Sequence, residues 1–107
     1  MTDEQFYAKA DALRERVKIA ARKMSAAEFA AAHGAARVSM RKAELAHRRR
    51  KTQASKEEYG LECTVQAAFI DVLQEQYAAE QALPEAERER LSVARWLEAF
   101  LNCDREG

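Results

Sequence analysis

This 107-residue chain has three glycines and one proline, so it offers few places to turn. It contains no apolar run of about 18 residues, so no membrane-spanning helix is expected. No stretch alternates with a period of two and there is no β-branched run, which excludes a sheet. The first residues, MTDEQFYAKAD, lack a basic end followed by an apolar segment, the pattern of a secretory signal. Two cysteines, Cys63 and Cys103, stand 40 residues apart with no CxxC and no neighbouring histidine. They read as reduced thiols of a cytoplasmic protein, with a disulfide between them left open.

Catalytic signatures are missing as well. There is no glycine-rich phosphate loop, no dinucleotide fingerprint, no HExxH and no GxSxG. His33 and His47 are isolated, and no Cys/His/Asp spacing matches a metal set. Carboxylate pairs such as Glu57 and Glu58 sit among charges, where nothing raises a carboxyl pKa for proton donation. The expectation is a protein that is not an enzyme, with no cofactor, no metal and no catalytic residue.

What is present is helix-forming residue types and divided charge. Hydrophobic residues make up 48% of the chain, much of it alanine, and Glu, Lys, Arg, Leu and Gln supply most of the rest. The formal net charge is zero, yet residues 1–54 hold 13 Lys/Arg against 6 Asp/Glu, a net of +7. Residues 55–107 hold 5 against 12, a net of −7. Such a division anticipates contact with nucleic acid or another charged partner, or mutual neutralisation of the two halves within a chain or a dimer.

Local signals predict a single all-α domain over 1–107: a compact bundle of about five helices ending in a long antiparallel helical hairpin. Thr2 to Gln5 forms a capping box, followed by an apolar stripe of Phe6, Ala10, Leu13, Val17, Ala20 and Met24. Ser25 to Glu28 is a second box, opening a short helix that Gly34 is placed to end in the left-handed conformation. A third helix is predicted from about Arg37 to Thr52. A fourth starts at a Ser55–Glu58 box and runs to about Gln81; its middle, LECTVQAAFIDVL, is apolar on nearly every side and reads as a buried centre. Pro84 begins the fifth, with Leu91, Ala94, Leu97 and Leu101 as its inner stripe, and Trp96 and Phe100 packing on the fourth helix.

Residues 25–46 resemble the helix-turn-helix template. Phe29 and Ala30 would face the second helix, Gly34 would turn, and Met40 and Ala43 would point inward. Arg37, Ser39, Arg41 and Lys42 would then face a major groove, while Arg48, Arg49, Arg50 and Lys51 would clamp phosphates. Those last four cations span about 300° of helix circumference, so they cannot share one binding face. Val38 and Leu45 lie opposite the Ala36, Met40, Ala43 and His47 side. Framed by Arg41 and Arg48, they form an apolar pair suited to a protein partner.

Two readings follow. In the first, a small regulatory or structural protein of the cytoplasm, as a monomer or a homodimer, binds DNA or RNA through residues 25–52. In the second, the chain is a protein-interaction module, such as a helical antagonist, antiactivator, phage-type inhibitor or adaptor. His33 and His47 are expected to be structural or solvated, and Trp96 a packing residue, in either case.

Overall fold

The computed structural model describes the backbone of residues 2–106 and the side chains of residues 2–98 and of 101. Those residues form four helices: α1, Asp3–Arg22; α2, Ala26–Arg50; α3, Gln53–Gln81; and α4, Glu85–Glu106. The all-α expectation holds. The five-helix count does not, because the second and third predicted helices are one.

Two of the three expected capping boxes form as written. The Gln5 N–H donates to Thr2 Oγ1 at 3.2 Å and the Thr2 N–H to Gln5 Oε1 at 2.9 Å. Ser25 and Glu28 repeat the arrangement at 3.2 and 3.0 Å. Its physical basis is local: two exposed donors at a helix start are satisfied by side chains three residues apart. Hydrogen bonding to the Glu28 carboxyl from the Ser25 backbone N–H, and then from the Ser25 hydroxyl, holds it below its ordinary range.

The third box is shifted. α3 begins at Gln53, and Thr52 caps it: the Ser55 N–H donates to Thr52 Oγ1 at 3.0 Å, and the Thr52 N–H donates to Ser55 Oγ at 3.1 Å. Ser55, 4% exposed, is therefore the third residue of the helix and not its cap. It also lies 2.8 Å from His47 Nδ1, which ties the end of α2 to the start of α3. Only Lys51 and Thr52 separate those helices. The reversal is made by Lys51 at φ 52°, in the left-handed region usually given to glycine.

The chain divides into two compact units, Met1–Leu73 and Gln74–Gly107, with the division inside α3 and not at the boundary between the basic and acidic halves. The first unit is a three-helix bundle. Contacts between α2 and α3 pair Phe29 with Phe69, His33 with Gln66 and His47 with Ser55. One index falls as the other rises, so these helices are antiparallel. Between α1 and α3 both indices rise together: Phe6 lies at Gly60 and Arg14 at Asp71, which makes this pair parallel.

The core of this unit joins Ala21 of α1, Phe29 and Ala36 of α2, and Phe69 and Val72 of α3, with Val17, Met24, Ala32 and Val65 packed around them. Phe29 meets Phe69 edge to face at 5.2 Å, and His33 stacks on Phe69 at 5.4 Å. The α1 stripe runs through Ala10 and Ala21, with Ala20 exposed, because a step of four from Val17 keeps it on the core side. α3 is half-buried all round over residues 61–67 and becomes one-sided only beyond them. Ala68, Phe69 and Val72 are inside, whereas Ile70 and Leu73 are exposed.

The second unit holds the end of α3 and all of α4, linked by residues 82–84. Arg95 pairs with Glu80, and Arg88 donates to Gln81 Oε1 at 3.3 Å. At 100° per residue, Arg88 and Arg95 share one side of α4, while Val93, Leu97 and Leu101 fall on the opposite side. The expected burial of the α4 stripe is therefore not realised: Leu97 and Leu101 are 46 and 57% exposed, Leu91, Ala94 and Trp96 are exposed too, and Val93, outside the expected stripe, is 57% exposed. Phe100 and Cys103 lie outside the described side chains.

Candidate functional site

α2 is unbroken through Gly34. The glycine is helical, with no positive φ, and a Cβ built on it would meet nothing within 4 Å. The helix-turn-helix turn is thus absent. A glycine permits the left-handed conformation without requiring it, and hydrogen bonding along 25 residues outweighs its roughly 1 kcal/mol propensity penalty. Ala30, expected to touch a second helix, is exposed.

Without the turn, the expected base-reading set lies in the middle of a 25-residue helix and not in the first turns of a recognition helix. On one continuous helix Arg37, Ser39, Arg41 and Lys42 spread over about 200° of arc, so they share no face. Arg41 and Arg48 both reach Glu44, at 3.0 and 2.7 Å, so two of the candidate cations are engaged along their own helix. Arg49, Arg50 and Lys51 are exposed at the α2–α3 corner. Lys51 additionally serves the reversal itself, its N–H donating to the His47 carbonyl at 2.8 Å.

The buried side of α2 carries Phe29, Ala36 and Ala43, with Met40 and His47 half-buried. This leaves Val38 and Leu45 outside, 55 and 37% exposed. Small alanines face the bundle because they allow α2 to come close to its neighbours and let Phe29 fill the space against Phe69. The branched residues are left to solvent. Val38, Lys42, Leu45 and Arg49 follow one another at steps of four, three and four, within about 60° of arc. Arg41 and Arg48 flank this row on the Glu44 side, and Ser39 and Arg50 flank the other. The result is a straight ridge of alternating apolar and cationic side chains, three turns long.

His33 is held on the opposite side. Its Nε2 lies 2.9 Å from Gln66 Nε2, and burial, reinforced by Arg37, lowers its pKa below the ordinary 6.5. Gln66 Oε1 is buried without a partner. Turning the amide over would pair that oxygen with a proton on Nε2, so the contact has two tautomeric solutions, both with a neutral imidazole. Elsewhere in this unit, Asp71 receives two hydrogen bonds from Arg14 at 2.6 and 2.8 Å, which keep its carboxyl below the ordinary range.

Among the described residues no three His, Cys, Asp or Glu side chains are grouped to hold a metal ion, and no helix is long and apolar enough to cross a membrane. The open depressions on the second unit are shallow and lined by residues such as Gln81, Arg88 and Ser92, or Leu83 and Leu91. No family model matches this chain, and neither a curated protein nor a solved structure is significantly similar to it. The residues of interest that sequence reading passed over are Glu44, which binds two of the arginines, and the outward Val93, Leu97 and Leu101. A helical projection pairing Arg88 with Arg95 would have marked the latter.

Proposed function

We propose that this chain is a non-catalytic protein-docking module and that the outer face of α2, Val38, Lys42, Leu45 and Arg49 with Arg41 and Arg48 beside them, is where a partner sits. The observation that carries this reading is the exposure of Val38 and Leu45 on the same side of a straight helix whose alanines are buried. Covering the exposed part of each side chain contributes about 1 kcal/mol, and the interleaved cations select an acidic partner and speed its approach. The partner suited to such a ridge presents apolar residues at helical spacing with carboxylates at their margins.

A photo-crosslinking residue in place of Lys42 tests this in the native cell. The expected result is one protein adduct of defined mass, lost when Leu45→Asp is added. Adducts only to nucleic acid, or none, would overturn the reading.

Nucleic-acid binding is supported by a separate observation: Arg37, Lys42, Arg49, Arg50 and Lys51 are all exposed. A continuous helix with dispersed arginines suits phosphate contact without sequence preference. That reading predicts binding to any duplex, with log affinity falling linearly in log salt. Reversing Arg48, Arg49 and Arg50 would weaken it for all sequences alike.

A further inference from the structure

The docking reading leaves the partner open, and the same chain contains a surface of the required chemistry. Residues 74–107 hold eight Asp/Glu against four Lys/Arg, a net of −4. Within that unit α4 turns its Arg88 and Arg95 side to Glu80 and Gln81, leaving Val93, Leu97 and Leu101 outward. On the helix projection Glu85 and Glu89 lie to one side of this row and Glu87 and Glu98 to the other; Arg90 falls within it, one turn before Val93. α4 thus offers an apolar row with acidic margins, and α2 offers an apolar row with cations in and beside it.

We propose that these surfaces meet between two copies of this chain, the α4 row of each copy covering the outer α2 face of the other. This inference rests on the docking reading and names its partner. Two reciprocal contacts related by a twofold axis close the assembly at a dimer, so neither surface is left to propagate a filament. Opposite charge sets the pairing: α4 against α4 would bring two net-negative units together, and α2 against α2 would oppose Lys42 and Arg49 with their own copies. The formal neutrality of the whole chain then reflects two charged surfaces that compensate each other across the interface.

Equilibrium sedimentation of the full chain over a range of concentrations tests this, together with Leu45→Asp on α2 and Leu97→Asp on α4. The expected result is a concentration-dependent dimer that weakens at high salt. Either variant alone weakens association at least about tenfold. The decisive arm is the equimolar mixture of the two variants. One contact of the pair remains intact in it, joining α2 of the Leu97→Asp copy to α4 of the Leu45→Asp copy. A mixed dimer is therefore regained, weaker than the wild type but stronger than either variant alone.

Lys42→Glu/Arg49→Glu, which alters only exposed side chains, serves as a second α2 variant, with helicity checked by circular dichroism. A wild type that is monomeric throughout would overturn the proposal, as would a Leu45→Asp protein that dimerises undiminished or variants that do not complement. The crosslink at position 42 separates the two levels. An adduct to a different protein on a monomeric chain sinks the dimer and leaves the docking reading standing, whereas no protein adduct at all sinks both.

Discussion

Replacing Gly34 by alanine discriminates between a turn and a continuous helix at the centre of α2. If the chain reversed direction there in the left-handed conformation, a Cβ would be strained and the protein would lose stability. In the structure Gly34 is helical and half-buried, and a Cβ would meet no atom within 4 Å. The substitution then changes only the cost of holding glycine in a helix, about 0.8–1 kcal/mol in favour of alanine. For a chain of this size that raises the midpoint of thermal unfolding by roughly 3–6 °C. Urea unfolding followed by far-ultraviolet circular dichroism should show a higher midpoint with an unchanged slope, since the surface exposed on unfolding stays the same. Gly60 provides the contrast. A Cβ there would lie 2.7 Å from Phe6 Cζ, so the ring must swing aside, and Gly60→Ala should be neutral or destabilising. A lower midpoint for Gly34→Ala would refute the continuous helix and restore the turn.

The α2–α3 corner makes two further predictions. Lys51→Gly should stabilise the protein by about 0.5–1 kcal/mol in the same unfolding assay, because the residue sits at φ 52°. Ser55→Ala should cost about 1–2 kcal/mol, because the buried hydroxyl satisfies the Thr52 N–H and meets His47. His33 gives the wild type a pH dependence whose sign follows from its lowered pKa: the unfolded chain binds the proton more readily. Its stabilising contribution is complete above about pH 6.5, is lost as pH falls through that value, and levels off below the depressed folded-state value. Unfolding midpoints measured across that window should fall toward acid in the wild type, and His33→Phe should remove this component.

Much of the local structure was legible in the sequence. The boxes at Thr2–Gln5 and Ser25–Glu28 and the break before Pro84 depend on residues within one turn of each other, so the pattern carries the whole interaction. Thr52–Ser55 was harder, since serine replaces the usual Glu or Gln at the third position and a better-looking box, Ser55 to Glu58, begins inside it. The charged candidates on α2 were visible as a composition, but their arrangement was not. Whether Arg37, Ser39, Arg41 and Lys42 stand in the first turns of a helix or in the middle of one depends on whether Gly34 turns. A single glycine allows either outcome.

By itself the sequence determined that the chain is helical, where three of its four helices begin, and how its charge is divided, all of which follow from short-range hydrogen bonding and composition. Only the tertiary structure decided which side of each helix is buried. In α2 the packing selected Ala36 and Ala43 over Val38 and Leu45, and in α4 Arg88 and Arg95 turned toward Glu80 and Gln81 while Val93, Leu97 and Leu101 faced away. The physical reason is the same in both cases. Burial depends on what the neighbouring helix leaves room for and which charges it presents, and hydrophobicity read one residue at a time contains neither.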